Sequence, residues 1–251
     1  MTSGEPDDTL SFGERVHYYH RFWRYARRTE PDTVRFIREE VKPGDVALDI
    51  GANKGIVAWF LAKQTGEAGR VIAFEPQPEM VSQVERVTRA FRLPNVEVHG
   101  VGLSDRRDTA RLYRGEAGST ANLVSGRDWQ KEELEVDIVT LDSFVAENDI
   151  GRVNFIKCDV DGYEVPVLAG ASGVLERDGP ILLIEISEQD LDEVSAVLRE
   201  RGYDEGVFWY RGRRYPAMDT ARVAYRHESA RFRNFLFRRK EGRSVPTSGA
   251  G

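Results

Sequence analysis

Apolar residues recur along this chain with two alternating periods. "VALDI" (46–50), "RVIAFEP" (70–76), "NVEVHGVGL" (95–103), "VNFIKCDV" (153–160) and "PILLIEI" (180–186) are short β-rich runs, the pattern of strands covered on both faces. Between them the apolar positions fall three and four apart, which predicts helices over 55–64, 78–91, 165–176 and 189–201. Gly151 and the "DGP" turn at 178–180 mark the entries to two strands. Strand–helix alternation of this kind predicts an α/β fold with a mostly parallel sheet and helices on both faces.

Two regions depart from the alternation. "ARLYRG" (110–115) and "EVDIVTL" (135–141) are strand-like and flank a polar segment, so a hairpin or sheet extension is expected there. Near the end, "GVFWY" (206–210) and "NFLFRR" (234–239) read as two closing strands joined by a decorated connection over 211–233. Ahead of the sheet, Pro31-Asp32-Thr33 splits residues 12–41 into two helices, with Asp32 or Thr33 expected as the second N-cap. The first of these helices is rich in aromatics and reads as a lid or cap. The expected segmentation is a disordered terminus at 1–10, a helical lid or cap at 11–40, one α/β domain at 41–240 and a disordered tail at 241–251.

The 251 residues suffice for a sizeable core, and 40% hydrophobic with 31% charged residues is an ordinary globular balance. No run reaches the ~18 apolar residues of a membrane span, and "MTSGEPDDTL" has no signal-peptide core. A cytoplasmic protein with no membrane partner is expected. The net charge of −6 makes nucleic acid an unexpected partner. Cys158 is the sole cysteine, which excludes an intrachain disulfide and a cysteine metal cluster.

Candidate chemistry starts at "VALDIGANKGIVAWF" (46–60). A strand runs into two glycines four apart, then into a helical pattern. In open α/β sheets such a first turn lies at the ligand crevice. Gly51 permits a close backbone approach or positive φ, and Gly55 lets the helix start close to the sheet. The spacing G-x-x-x-G lacks the G-x-G-x-x-G of dinucleotide binders, and Asp49 would repel a pyrophosphate. A cationic ligand with no phosphate suits Asp49 better, and S-adenosylmethionine carries an ammonium and a sulfonium. Ala52 and Asn53 complete the turn. Glu75 and Pro76 end the second strand about 20 residues on, where a carboxylate accepts ribose hydroxyls. Leu103, Ser104 and Asp105, expected at the end of the third strand, are candidates for the adenine edge.

Four stretches carry a resemblance to a known family: "LDIGANKG", "VIAFEPQPEM", "VTLDSF" with the preceding "GSTANL", and "FIKCDVDGYEVPVLAGA". Together, over roughly residues 40–190, they resemble the FkbM family of S-adenosylmethionine-dependent methyltransferases. The resemblance implies a Rossmann-like class I sheet of seven strands, the last antiparallel. It also implies methyl transfer to a hydroxyl, often on a sugar or secondary metabolite. Asp161 stands where the family often has Glu, Tyr163 where it often has His, and Lys54 where a small apolar residue is common.

Methyl transfer needs an acceptor held in line, with help in removing its proton. Asp159 ends the fourth strand, beside the expected methyl position, and Asp161 and Glu164 follow it. Asp159, Glu164 and Lys157 are the candidate catalytic residues. Asp159, Asp161 and Glu164 equally suit Mg²⁺, which stays an open alternative; helix capping is the plain reading of Asp161 and Glu164. His17 and His20 share a helix face and are read as surface or lid residues. The acceptor is expected to be a small-molecule hydroxyl, and a homodimer is compatible with this reading. Lys157, Asp159 and Glu185 also suit an RNA ribose 2′-O-methyltransferase, and an NAD-dependent oxidoreductase is the third alternative.

Overall fold

A computed structural model describes residues 10–114, 121–122, 132–204, 206–210, 213–216 and 232–240. The expected disorder of 1–9 and 241–251 and most of the 211–233 connection lie outside the described residues, whereas Leu10 is buried. Helix α1 (Phe12–Arg24) opens with a capping box, Ser11 and Glu14 each accepting the other's backbone N–H. It runs into a π-helical turn (Tyr25–Thr29), and α2 (Pro31–Glu40) follows. The N-cap of α2 is Glu30, not Asp32 or Thr33. Pro31 takes the first turn, where its missing N–H costs nothing, and Thr33 Oγ1 donates to Glu30 Oε2 at 2.8 Å.

The α/β alternation then appears as expected. β1 (Val46–Ile50), α3 (Ile56–Thr65), β2 (Arg70–Phe74), α4 (Pro78–Ala90) and β3 (Val96–His99) build one half. β8 (Phe155–Cys158), α6 (Glu164–Ala169), α7 (Ser172–Asp178), β9 (Ile181–Ser187), α8 (Leu191–Glu200), β10 (Val207–Tyr210), β11 (Arg213–Pro216) and β12 (Phe232–Phe237) build the other. The strand order is β11-β10-β12-β9-β8-β1-β2-β3. β3, β2, β1, β8 and β9 are parallel, and β12 inserts antiparallel between β9 and β10. This is the expected seven-stranded arrangement with the last strand antiparallel, extended at one edge by β11, which pairs antiparallel with β10. Among the described residues, no helix is long and apolar enough to cross a membrane.

Strand alternation sends successive residues to opposite faces. Ala47, Val71, Phe155, Leu183 and Leu236 pack against Phe36, Ile37, Phe60 and Leu61 of α2 and α3. Leu48, Ile72, Ile156, Cys158, Leu182 and Ile184 pack against α5 (Leu141–Glu147), α6, α7 and α8 on the other face.

Two expected elements divide. The third β-rich run breaks after His99, and the chain crosses into a second sheet of β4 (Gly102–Leu103), β7 (Glu132–Val139), β5 (Asp108–Arg114) and β6 (Ala121–Asn122). β5 and β7 form the expected antiparallel pair. The helix expected over 165–176 becomes α6 and α7, parted at Gly170. A Cβ on Gly170 would lie 1.9 Å from the Ser104 carbonyl oxygen, so the close approach of the β4 exit excludes any side chain there.

That contact predicts that Gly170→Ala lowers the free energy of unfolding by about 2–3 kcal/mol in urea titration. Gly13, on α1, is the control: a methyl group added there would meet nothing within 4 Å. Gly13→Ala is expected to leave stability unchanged or raise it by about 0.5–1 kcal/mol.

Candidate active site

The strand order reverses between β1 and β8, and a set of buried ionisable groups gathers at the C-terminal ends of those strands. The turn after β1 is built around Gly51, at φ +80°. A Cβ there would sit 2.0 Å from the Asp159 carbonyl oxygen, so two strand ends touch through a residue that must lack a side chain. Gly51 and Ala52 both donate their N–H to the Phe74 carbonyl at 3.0 Å, tying the turn to the end of β2. Asn53 N–H donates to Glu75 Oε2 at 2.8 Å, and Gln77 N–H to Glu75 Oε1 at 2.9 Å. Burial raises the Glu75 pKa, and these backbone donors counter it.

A pocket partly open to solvent lies over this turn. Gly51, Asn53, Glu75, Pro76, Gln77, Leu103, Asp159, Asp161 and Tyr163 line it, with Phe74, Val101 and Leu112 as apolar walls. Asp49, next to the lining residues Ile50 and Gly51 in the chain, is buried at 1% exposure, and its Oδ2 has no hydrogen-bond partner. Burial pushes its pKa to about 7, against the pull of the Lys157 charge.

The sheet register sets a second group on the face covered by α2 and α3. Asp49 lies opposite Lys157, and Glu185 lies opposite Asn234. Lys157 is 1% exposed, with Nζ 3.3 Å from Asp159 Oδ2. Asp159 keeps 31% of its side chain exposed, towards the pocket it lines. Burial opposes the Lys157 charge, but the Asp159 and Glu185 carboxyls outweigh it and raise its pKa. Burial likewise pushes Asp159 up, yet Lys157 and a hydrogen bond with Glu185 hold it below the ordinary value. Burial and then the Asp159 charge raise Glu185 strongly, opposite in direction to its hydrogen-bonded partner Asp159. The group is thus an ammonium beside two carboxyl groups that share a hydrogen bond, with a proton between them favoured on Glu185.

This geometry can be set beside known proteins. The methyltransferase FkbM domain matches residues 49–205. The chain belongs to the FkbM methyltransferase family. The 31-O-demethyl-FK506 methyltransferase FkbM of Streptomyces tacrolimicus is 30% identical over 65% of this chain and 74% of its own length. The hexuronic acid methyltransferase AglP of Haloferax volcanii is 24% identical, over 74% of each chain. The AMB antimetabolite synthetase AmbE of Pseudomonas aeruginosa is 26% identical over 66% of this chain, which spans only 10% of AmbE. The crystal structure of a methyltransferase FkbM from Methylobacillus flagellatus shares the fold, with a TM-score of 0.51 and 19% identity over 91% of this chain and 56% of that one.

For this FkbM methyltransferase, an enzyme of the S-adenosylmethionine-dependent class, the residues present fit the methyl donor. Asp49, a buried carboxyl with one unpartnered oxygen, directly precedes the lining residues Ile50 and Gly51, and Glu75 is in the lining. Gly51, Asn53, Glu75, Pro76 and Leu103 line the pocket, while Ala52 and Gly55 shape its turn. Ser104 and Asp105 are not in the lining. Ser104 is buried behind it, its hydroxyl 3.0 Å from both the Tyr163 hydroxyl and Asp105 Oδ1. Asp105 pairs with Arg106. The crossing to the second sheet, which carries Leu103 inward, turns the next two residues away.

Glu164 stands apart from Lys157 and Asp159. It is buried near Cys158, on the opposite face of β8, and accepts the Gly162 N–H at 3.0 Å. The donors considered for Mg²⁺ therefore do not converge: among the described residues no three His, Cys, Asp or Glu side chains are grouped to hold a metal ion. His17 and His20 are exposed on α1, outside the pocket. No residue of 11–40 lines it either; α1 packs on α3 and α4, with Phe22 stacked on Trp59 at 4.3 Å and meeting Phe91 at 5.3 Å. The segment reaches the ionic group only at its end, where Glu30 Oε2 accepts from the Tyr25 hydroxyl at 2.8 Å and Asn234 Nδ2 at 3.4 Å. Glu30, Tyr25 and Asn234 were not among the sequence candidates for this site, and Glu185 entered only beside Lys157 and Asp159 in the RNA alternative. Glu185 had a signal, being the lone charge within "PILLIEI"; the others become neighbours only through tertiary packing.

The raised Asp49 pKa gives a pH-dependent expectation. Its folded value near 7 lies above the unfolded 3.8, so its contribution favours the folded state most below pH ~4 and declines as pH rises from there to ~7. A cation bound beside it favours the ionised form, so affinity for S-adenosylmethionine should rise as pH passes through ~7, with proton release on binding below that point. Calorimetry in buffers of different ionisation enthalpy checks this, and Asp49→Asn is expected to abolish the Asp49-linked proton release.

Proposed function

We propose that this enzyme transfers the methyl group of S-adenosylmethionine to a hydroxyl of a small molecule such as a sugar or a secondary metabolite. The observation that carries transfer to a hydroxyl is the hydrogen-bonded set Lys157–Asp159–Glu185 opening onto the pocket through Asp159, and the net charge of −6 favours a small molecule over RNA. The named activities of the relatives support it, one acting on 31-O-demethyl-FK506 and one on a hexuronic acid.

The bound donor supplies a methyl group on a sulfonium, which departs as a neutral thioether. Asp49, Gly51, Asn53, Glu75, Gln77 and Leu103 are the residues to hold it. Asp159 is ionised and faces the pocket, so it can accept a hydrogen bond from an acceptor hydroxyl, orient its lone pair and take its proton as the new C–O bond forms. Lys157 keeps Asp159 ionised at the pocket wall and limits its basicity. A weak base suffices, because an alkylated hydroxyl is strongly acidic before it loses its proton. Glu185, as the protonated partner, fixes the Asp159 rotamer. Nothing in these roles requires Glu164, whose burial on the other face suits it to close the turn before α6.

The test is methyl transfer to a panel of hydroxylated sugars and metabolites and to RNA, read as S-adenosylhomocysteine formed. Small-molecule acceptors should be methylated and RNA should not. Asp159→Asn is nearly isosteric and should keep donor affinity while losing turnover by about 10²-fold or more. Lys157→Met should lose turnover comparably, since it leaves two carboxyl groups without their cation. Turnover of Asp159→Asn close to wild type would remove Asp159 from the chemistry, and methylation of RNA alone would replace the acceptor class.

Donor recognition is tested separately by Glu75→Gln. The change keeps the shape but turns one acceptor oxygen into a donor facing the Asn53 or Gln77 N–H. S-adenosylmethionine affinity should fall at least tenfold in calorimetry, a loss of the size of one charge-assisted hydrogen bond, about 1.5–3 kcal/mol.

A further inference from the structure

Helix α1 has two apolar sides. One side buries Tyr18 and Phe22 against the domain. The other carries Phe12, Val16, Tyr19 and Trp23, exposed at 84, 50, 52 and 50%. These four positions step by four, three and four residues, so they form one continuous stripe. They are the large hydrophobic residues that stand exposed among the described residues. A stripe of this kind on a single helix calls for an occupant.

Charge indicates which occupant. Residues 12–29 contain five arginines and one glutamate, so this segment carries +4 while the remainder of the chain carries −10. Arg15, Arg24, Arg27 and Arg28 are exposed beside the stripe, and Arg28 lies over the Trp23 ring. A symmetric dimer across the stripe would set one basic helix against another, and like charges at close range oppose that pairing. An anionic bilayer surface satisfies both features: the arginines meet lipid phosphates, and Phe12, Val16 and Trp23 enter the headgroup boundary, where Trp and Tyr are favoured.

We propose that α1 docks this methyltransferase reversibly on anionic membrane surfaces through its exposed Phe12–Trp23 stripe and flanking arginines. The helix lies in the interface and does not span it. The other side of α1 is fixed to α3 and α4, and its end joins Glu30 beside the ionic group of the site, so docking sets the pocket at a defined orientation to the surface. The proposal is independent of the methyl acceptor.

The test is flotation of the full-length protein with vesicles of phosphatidylcholine alone or mixed with phosphatidylglycerol. Binding is expected to the mixed vesicles only, and to weaken in high salt. The double variants Phe12→Ser/Trp23→Ser and Arg24→Glu/Arg27→Glu change exposed residues only, and unchanged thermal midpoints and S-adenosylmethionine affinity will show that they fold. Each should bind the mixed vesicles at least about tenfold more weakly than wild type. Failure of wild type to float with anionic vesicles, or equal binding by the stripe variant, overturns the proposal. So does a dimer in analytical ultracentrifugation that the stripe variant dissociates, or binding to RNA in place of vesicles.

Discussion

The pairing of Lys157 with Asp159 is the constraint around which the rest of the site is arranged. An ammonium at 1% exposure is tolerable only with a counter-charge in contact, because removing either ion from water costs several kcal/mol. The strand pleat puts the two residues on the same face, two positions apart. The neighbouring strands then add Asp49, Glu185 and Asn234 to that face, and the end of the N-terminal segment brings Glu30. Three further carboxyl groups, Asp49, Glu185 and Glu30, beside one ion pair would repel. The proton held by Glu185 removes one negative charge, and Asp49 sits near its own titration point. Of this group, Asp159 is the member that lines the pocket.

The turn after β1 depends on the same pair. Asp159 can present its side chain to the pocket because its backbone oxygen lies against Gly51, where any Cβ would collide. Gly51 in turn is held by the Phe74 carbonyl, and Glu75, the next residue, collects the Asn53 and Gln77 N–H groups. Three strand ends are thereby locked together through backbone contacts. The pocket is shaped before any ligand arrives, which is the arrangement that lets positioning contribute to rate. The cost of that shape is stored in Asp49, a carboxylate without a partner for one of its oxygens.

The N-terminal helices link this interior to the surface. Their apolar residues act in two directions: Tyr18 and Phe22 close the core over α3 and α4, while Phe12, Val16, Tyr19 and Trp23 are exposed. An element whose inner side supports the site and whose outer side is apolar and basic is suited to couple the position of the enzyme to its chemistry.

The α/β alternation, the parallel central strands, the glycine turn and the strand-end carboxylates were legible in the sequence, because each is written in local period or in short spacing. Asp49, Gly51, Glu75, Lys157 and Asp159 could be singled out for the same reason: a charge or a glycine interrupts an apolar run where a strand must end. What the sequence left open was decided by contacts between distant segments. The third run breaks at Gly100 and Val101 to enter a second sheet, which removes Ser104 and Asp105 from the pocket. Gly170 divides a helix because the Ser104 backbone presses on it. Glu164 falls on the far side of β8, and Glu185, Asn234 and Glu30 arrive from strands and turns far away in sequence. Periodicity fixes which residues face together within one element. Which elements face each other, and hence which charges must share one proton, is settled only when the sheet is assembled.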